Sequence, residues 1–219
     1  MPAATLGTDR ALPRSAHPDA EEENVGTVTL GVSIAVPEPY GSLLQERRAS
    51  FGDPAAYGIP THVTLLPPTE VDTAVLPAFR HHLTAVAAGS HTFPMRLRGT
   101  GTFRPLSPVV FVQLVEGAAE SAKLQEQVRS GPVTRELEFP YHPHVTIAHG
   151  IDDAALDHAH RALADYTADW TVESFALYEQ GADGRWRMLD EYPFGGTTAA
   201  GGVPAQGTPR NTAAPSLPT

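Results

Sequence analysis

The sequence predicts an α+β domain built mostly from antiparallel sheet. Two observations carry that expectation: short β-branched runs alternate with helical ones in mixed order, and one strand motif occurs twice, about half a core apart. Residues 27–36 (TVTLGVSIAV) read as a strand stopped by Pro37-Glu38-Pro39. Residues 41–50 follow as a helix, and residues 61–66 (THVTLL) as a second strand ended by Pro67-Pro68. Apolar side chains at 75, 76, 79, 83 and 86 make a helical stripe over residues 75–88. Residues 95–103 and 109–115 are expected to pair as strands through Arg104-Pro105-Leu106-Ser107-Pro108. Residues 118–129 form a polar amphipathic helix closed by Gly131-Pro132. A strand at 144–148 leads through Gly150 into a helix that starts near Asp152 and Asp153 and ends near Tyr166. Residues 170–179 and 185–192 are strands flanking Gly181-Ala182-Asp183-Gly184, a hairpin signal.

Composition narrows the function classes. The 219 residues include no cysteine, and 15 Lys and Arg stand against 25 Asp and Glu, a formal charge of −10. Without cysteine there is no disulfide scaffold, Cys-based zinc finger or thiol enzyme. The acidity argues against an extended track for long nucleic acid, which needs a cationic face. No apolar run approaches the roughly 20 residues of a membrane span, so a soluble, cytoplasmic monomer is expected. Residues 1–24, with three prolines and the acidic triplet Glu21, Glu22, Glu23, are expected to be a disordered lead-in. Residues 195–219, built mostly from Gly, Ala, Thr and Pro, are expected to be a flexible tail. The domain is then residues 25–194, where 12 basic and 20 acidic side chains leave −8. A chain of that size buries roughly 70% of its unfolded surface and needs no metal to hold a core.

The repeat carries the chemistry. Pro60-Thr61-His62-Val63-Thr64-Leu65-Leu66 and His142-Pro143-His144-Val145-Thr146-Ile147-Ala148 share His-Val-Thr followed by two apolar residues, with 144 − 62 = 82 residues between the histidines. Strand alternation sends His62 and Thr64 to one face and Val63 and Leu65 to the other, and the same holds for His144 and Thr146 against Val145 and Ile147. Each half therefore presents one imidazole beside one hydroxyl. Facing each other across a cleft, one neutral imidazole can take a proton from water or a ribose hydroxyl while the other, protonated, gives one to a departing oxygen. The threonine hydroxyls can donate to non-bridging phosphate oxygens. This scheme requires no metal or cofactor.

The two motifs, in their strand-then-helix context, resemble the two-histidine (2H) phosphoesterase superfamily, in its 2′-5′ RNA ligase-like or RNA 2′,3′-cyclic phosphodiesterase branch. The resemblance extends over Val36-Pro37, the HVTLL run, residues 99–103 (GTGTF), residues 107–111 (SPVVF), the Pro143–Thr146 motif and the closing hairpin through Trp186. It implies a bilobal, pseudo-twofold fold with two mainly antiparallel sheets lining a central groove and helices outside. It further implies His62 and His144 as an acid–base pair, Thr64 and Thr146 as phosphate donors, and a 2′-phosphate product, with 2′-5′ ligation as the reverse reaction. The expected partner is a small cyclic nucleotide or a short RNA end carrying a 2′,3′-cyclic phosphate.

Other residues offer secondary readings. Among Tyr57, Phe103, Phe139 and Tyr141, which lie near the motifs or the Gly99-Thr100-Gly101 bend, Tyr141 is the preferred candidate to stack on a base. Arg47, Arg48 and Arg104 are candidate phosphate ligands. Two rival functions remain open: a nucleotide or RNA-end binding module without turnover, and a metal-dependent hydrolase using His142, His144 and His149. His81, His82, His158 and His160 read as solvated surface.

Overall fold

The computed structural model describes residues 26–195; the expected lead-in and nearly all of the expected tail lie outside the described residues. β1 (Thr27–Ala35) is buried on both faces from Leu30 to Ile34, as a central strand must be. α1 (Tyr40–Ser50) leads to β2 (His62–Asp72). A single 3-10 turn at Thr73–Val75, capped by the Asp72 carboxylate accepting from the Ala74 N–H at 2.8 Å, then opens α2 (Leu76–Ala88). The second half begins with β3 (Phe93–Thr102) and β4 (Val109–Glu116), followed by α3 (Ala118–Arg129) and β5 (His144–His149). α4 (Asp153–Ala162) is capped by Asp152, which accepts from the Ala155 N–H at 2.9 Å. β6 (Thr167–Val172), β7 (Ser174–Gln180) and β8 (Trp186–Pro193) complete the chain.

Two four-stranded antiparallel sheets result, ordered β2-β1-β7-β8 and β5-β4-β3-β6. The orders correspond strand for strand. β4 starts 82 residues after β1 (109 − 27), and β5 starts 82 after β2 (144 − 62). Each HVT motif thus opens an edge strand of its own sheet. The lobes are bound crosswise: α1, from the first lobe, packs on β5, while α3, from the second, packs on β2. One contiguous apolar core runs through both, with Val63, Leu65, Val145 and Ile147 fully buried behind the motif faces.

Three expectations need correction. β2 does not stop at Pro67-Pro68 but continues to Asp72; it is an edge strand, and a register shift opposite Gly31 absorbs the prolines, so no interior ladder loses a donor. The apparent strand at 170–179 is two strands in different sheets, β6 and β7, broken at Glu173, and α4 correspondingly ends at Ala162 instead of near Tyr166. No glycine or proline marks that break. His82 is not solvated: its Nε2 lies 3.0 Å from the Gln127 carbonyl, between α2 and α3. Among the described residues, no helix is long and apolar enough to cross a membrane.

Leu65, fully buried in the core behind the motif face, should cost about 2–5 kcal/mol when truncated to alanine. Met188→Ala, at an exposed position on β8, should stay within about 0.5 kcal/mol. Urea melts of the two variants check the contrast.

Candidate active site

The two motif histidines are held by the same local device. His62 Nδ1 lies 2.7 Å from the Pro60 carbonyl, and His144 Nδ1 lies 2.7 Å from the His142 carbonyl. A carbonyl only accepts, so Nδ1 carries the hydrogen in both rings and each neutral ring presents an unshared pair on Nε2. Two residues on, Thr64 and Thr146 occupy the same faces as the histidines, and neither hydroxyl has a side-chain hydrogen bond among the described residues. Thr64 pairs with Ser33 in β1, and Thr146 with Phe111 in β4.

The surroundings of the two rings differ. His144 is cushioned by aromatic edges: Phe103 at 4.9 Å and 88°, Phe111 at 5.2 Å, and the His142 ring stacked at 6.4 Å. Gly101 permits this arrangement, since a Cβ there would sit 2.7 Å from the Phe111 ring. Burial lowers the His144 pKa below the usual imidazole value; its hydrogen bond to the His142 carbonyl opposes that, and the His142 charge adds to it. Burial depresses His62 further, to about 4, with the Pro60 hydrogen bond opposing and the nearby charges of Arg48 and His144 reinforcing. The strands that carry the two rings, β2 and β5, contact each other directly.

Two hydrogen bonds fix the motif strands across the lobes. The Tyr141 hydroxyl donates to the Thr64 carbonyl at 2.8 Å, joining the segment before β5 to β2. Burial pushes its phenol well above the usual tyrosine range. Tyr141, expected as a base platform, therefore spends its hydroxyl on a tie between lobes. The second link centres on Asp53, whose side chain is 1% exposed. Its Oδ2 accepts from Arg48 Nε at 2.7 Å and from the His149 N–H at 3.0 Å, while Oδ1 accepts from the Ala55 N–H at 2.9 Å. Neither Asp53 nor its role was legible beforehand; a carboxylate 96 residues from the backbone it holds leaves no local pattern.

The remaining candidates scatter. Arg48 stands beside His62, held by Asp53. Arg104 is committed to Asp153 at 3.2 Å and Asp157 at 2.6 Å on α4. Phe103 packs on His144, whereas Phe139 is exposed and Tyr57 borders a separate cavity. His142 stacks near His144, while His149 closes β5 beyond a register shift with its backbone N–H held by Asp53, and no three His, Cys, Asp or Glu side chains converge to hold a metal ion among the described residues.

A pair of pseudo-symmetric sheets with a histidine at the head of each edge strand defines a two-lobed α+β class, and the comparisons agree. The family model described as the 2′-5′ RNA ligase superfamily matches residues 36–184. The chain belongs to the 2′-5′ RNA ligase superfamily. A curated relative from Bacillus thuringiensis (strain Al Hakam), named "Putative phosphoesterase", is 29% identical over 147 residues, covering 65% of this chain and 84% of the relative. Among solved structures, TT0787 of Thermus thermophilus shares the fold with a TM-score of 0.53 and 22% identity, over 78% of this chain and all of that one. E. coli LigT complexed with 3′-AMP aligns with a TM-score of 0.52 and 21% identity, over 77% of this chain and 99% of that one.

Two outcomes follow from this geometry. Between pH 6.5 and about 4 the unfolded chain protonates the His62 ring while the folded chain resists, so stability rises with pH across that window and is lost as pH falls through it. Thermal melts should show that slope, and His62→Gln should remove much of it; an unchanged slope would mean the ring is not shielded. Asp53→Ala leaves the Arg48 guanidinium, 11% exposed, without its partner and should destabilise by about 3–5 kcal/mol in denaturant titration.

Proposed function

We propose that the chain is a metal-independent phosphoesterase that opens 2′,3′-cyclic phosphates of nucleotides or short RNA ends to 2′-phosphates. The observation that supports this most is the mirrored hydrogen bond from each Nδ1 to the carbonyl two residues back, which leaves both Nε2 atoms available for proton transfer. His62, whose pKa burial and the nearby Arg48 charge hold at about 4, stays neutral and acts as the base toward water. His144 holds a proton more readily, the more so once a phosphate anion lies beside it, and delivers that proton to the departing ribose 3′ oxygen. The water oxygen bonds to phosphorus, the bond from phosphorus to the 3′ oxygen breaks, and the phosphate remains on the 2′ oxygen. With a ribose 5′ hydroxyl in place of water, the same base takes the proton of that hydroxyl, its oxygen bonds to phosphorus as the bond to the 3′ oxygen breaks, and a 2′-5′ linkage forms; cleavage of that linkage is the reverse, with the roles of the two rings exchanged.

Thr64 and Thr146 donate to the non-bridging oxygens, on which charge is held. Arg48 adds a fixed positive charge on the His62 side, and the Tyr141 ring, pinned by its hydroxyl, borders the groove. Both histidines come from one chain, so the enzyme is complete as a monomer, here assigned to the cytoplasm. The solved complexes of LigT with 3′-AMP and NADP+ support a small nucleotide as the ligand of this fold.

The test is a panel of nucleoside 2′,3′-cyclic phosphates and RNA ends, assayed with and without chelator, with the position of the product phosphate determined. Wild type should give 2′-phosphate in chelator, and His62→Ala and His144→Ala should each fall at least about a hundredfold while remaining folded. Wild-type-like turnover in either variant overturns the mechanism. Loss with chelator and return with a divalent ion would instead favour the His142, His144 and His149 metal reading; tight binding without product would favour a nucleotide-binding module.

A further inference from the structure

Between the segment that follows α1 and the β7–β8 hairpin lies a cavity of about 480 Å³, within the range that holds small organic ligands. Tyr57, Pro60, Asp183, Arg185, Trp186 and Arg187 are among the residues that line it, and the Asp183 carboxylate is taken up by the Arg187 guanidinium and the Arg185 backbone N–H. The chemistry proposed above uses none of these side chains. Yet Pro60 is the residue whose carbonyl holds the His62 ring, and two residues of extended chain span only roughly 6–7 Å. The cavity therefore opens beside the groove on the His62 side.

Its walls are built. Gln45 Nε2 donates to the Ala56 carbonyl at 3.0 Å, bracing the loop from α1. The Trp186 N–H donates to the Gly58 carbonyl at 2.8 Å, which ties loop to hairpin. The Trp186 ring lies over Gly31, where a Cβ would come within 3.1 Å of it. Against this frame two groups stand open. Tyr57 is 61% exposed, an aromatic face without packing. Arg187 is engaged by Asp183 at 2.5 Å, but the Arg185 guanidinium makes no hydrogen bond or ion pair among the described residues. An open ring next to an uncommitted guanidinium, in a chain of net charge −10, suits a ligand that is itself flat at one point and anionic at another.

We infer that this cavity takes the base and a second, 5′ phosphate of a nucleotide whose reacting phosphate lies between His62 and His144, so that the substrate is a 5′-phosphorylated cyclic nucleotide or RNA end in preference to a bare cyclic nucleoside phosphate. The inference rests on the proposed reading of the paired histidines. Tyr57 stacks on the base, and Arg185 pairs with the outer phosphate.

Binding separates this proposal from the catalytic one. Adenosine 2′-monophosphate and adenosine 2′,5′-bisphosphate are titrated by calorimetry into wild type, Arg185→Ala, Arg185→Lys and Tyr57→Ala, each shown folded by its thermal melt. Wild type should bind the bisphosphate at least tenfold more tightly. Arg185→Ala should collapse that ratio toward one, Arg185→Lys should keep most of it, and Tyr57→Ala should weaken both ligands. A wild-type ratio near one, or a ratio untouched by Arg185→Ala, overturns the inference even if cyclic nucleotides are hydrolysed. An Arg185-dependent ratio without turnover of any cyclic nucleotide sustains the second-phosphate site as a binding site while the catalytic reading, and with it the assignment of a substrate, fails.

Discussion

Everything at the site depends on the crosswise packing of the lobes. β2 and β5 are edge strands, each hydrogen-bonded to its own sheet on one side only, so their mutual placement is not set by a ladder. It is set by α1 leaning on β5 and α3 leaning on β2, and by two hydrogen bonds that cross the same divide, Tyr141 to Thr64 and Asp53 to His149. Proton transfer is sensitive to displacements of a fraction of an ångström, and close-packed interiors resist such displacements better than a hinged pair of lobes would. The shared core therefore serves the proposed chemistry as well as stability.

Pseudo-symmetry supplies two copies of one device, and its imperfection gives the two rings unlike surroundings. The backbone turn that aims His62 is repeated at His144 to the same 2.7 Å. What differs is the neighbourhood: a fixed guanidinium on one side, two phenyl edges and a third imidazole on the other. Two chemically identical groups with unequal affinity for a proton are what a base and an acid working in concert need.

What could be read in the sequence was local and periodic. Alternation placed His62 and Thr64 on one face and Val63 and Leu65 in the core, and the 82-residue repeat implied two halves before any coordinates. α3 falls on residues 118–129 as expected, because its boundaries carry their own glycines. What escaped was pairwise and distant. Asp53 reads as an ordinary loop aspartate, Tyr141 as a free ring, and β2 as a strand halted by prolines, because the partner that decides each case lies on another element. The division of residues 170–179 between two sheets has the same origin.

The sheet orders also govern how the chain can acquire its shape during synthesis. The second sheet uses strands drawn from one continuous stretch, residues 93–172, and can assemble as soon as that stretch has emerged. The first cannot: β1, near the beginning, is flanked by β7, and β8 closes the outer edge only at residues 186–193. Until then β1 and β2 are a lone antiparallel pair with one flank bare, and two-stranded sheets are marginal in water. The lobe made first is thus finished last, and a nascent chain has no competent groove before its final strands arrive.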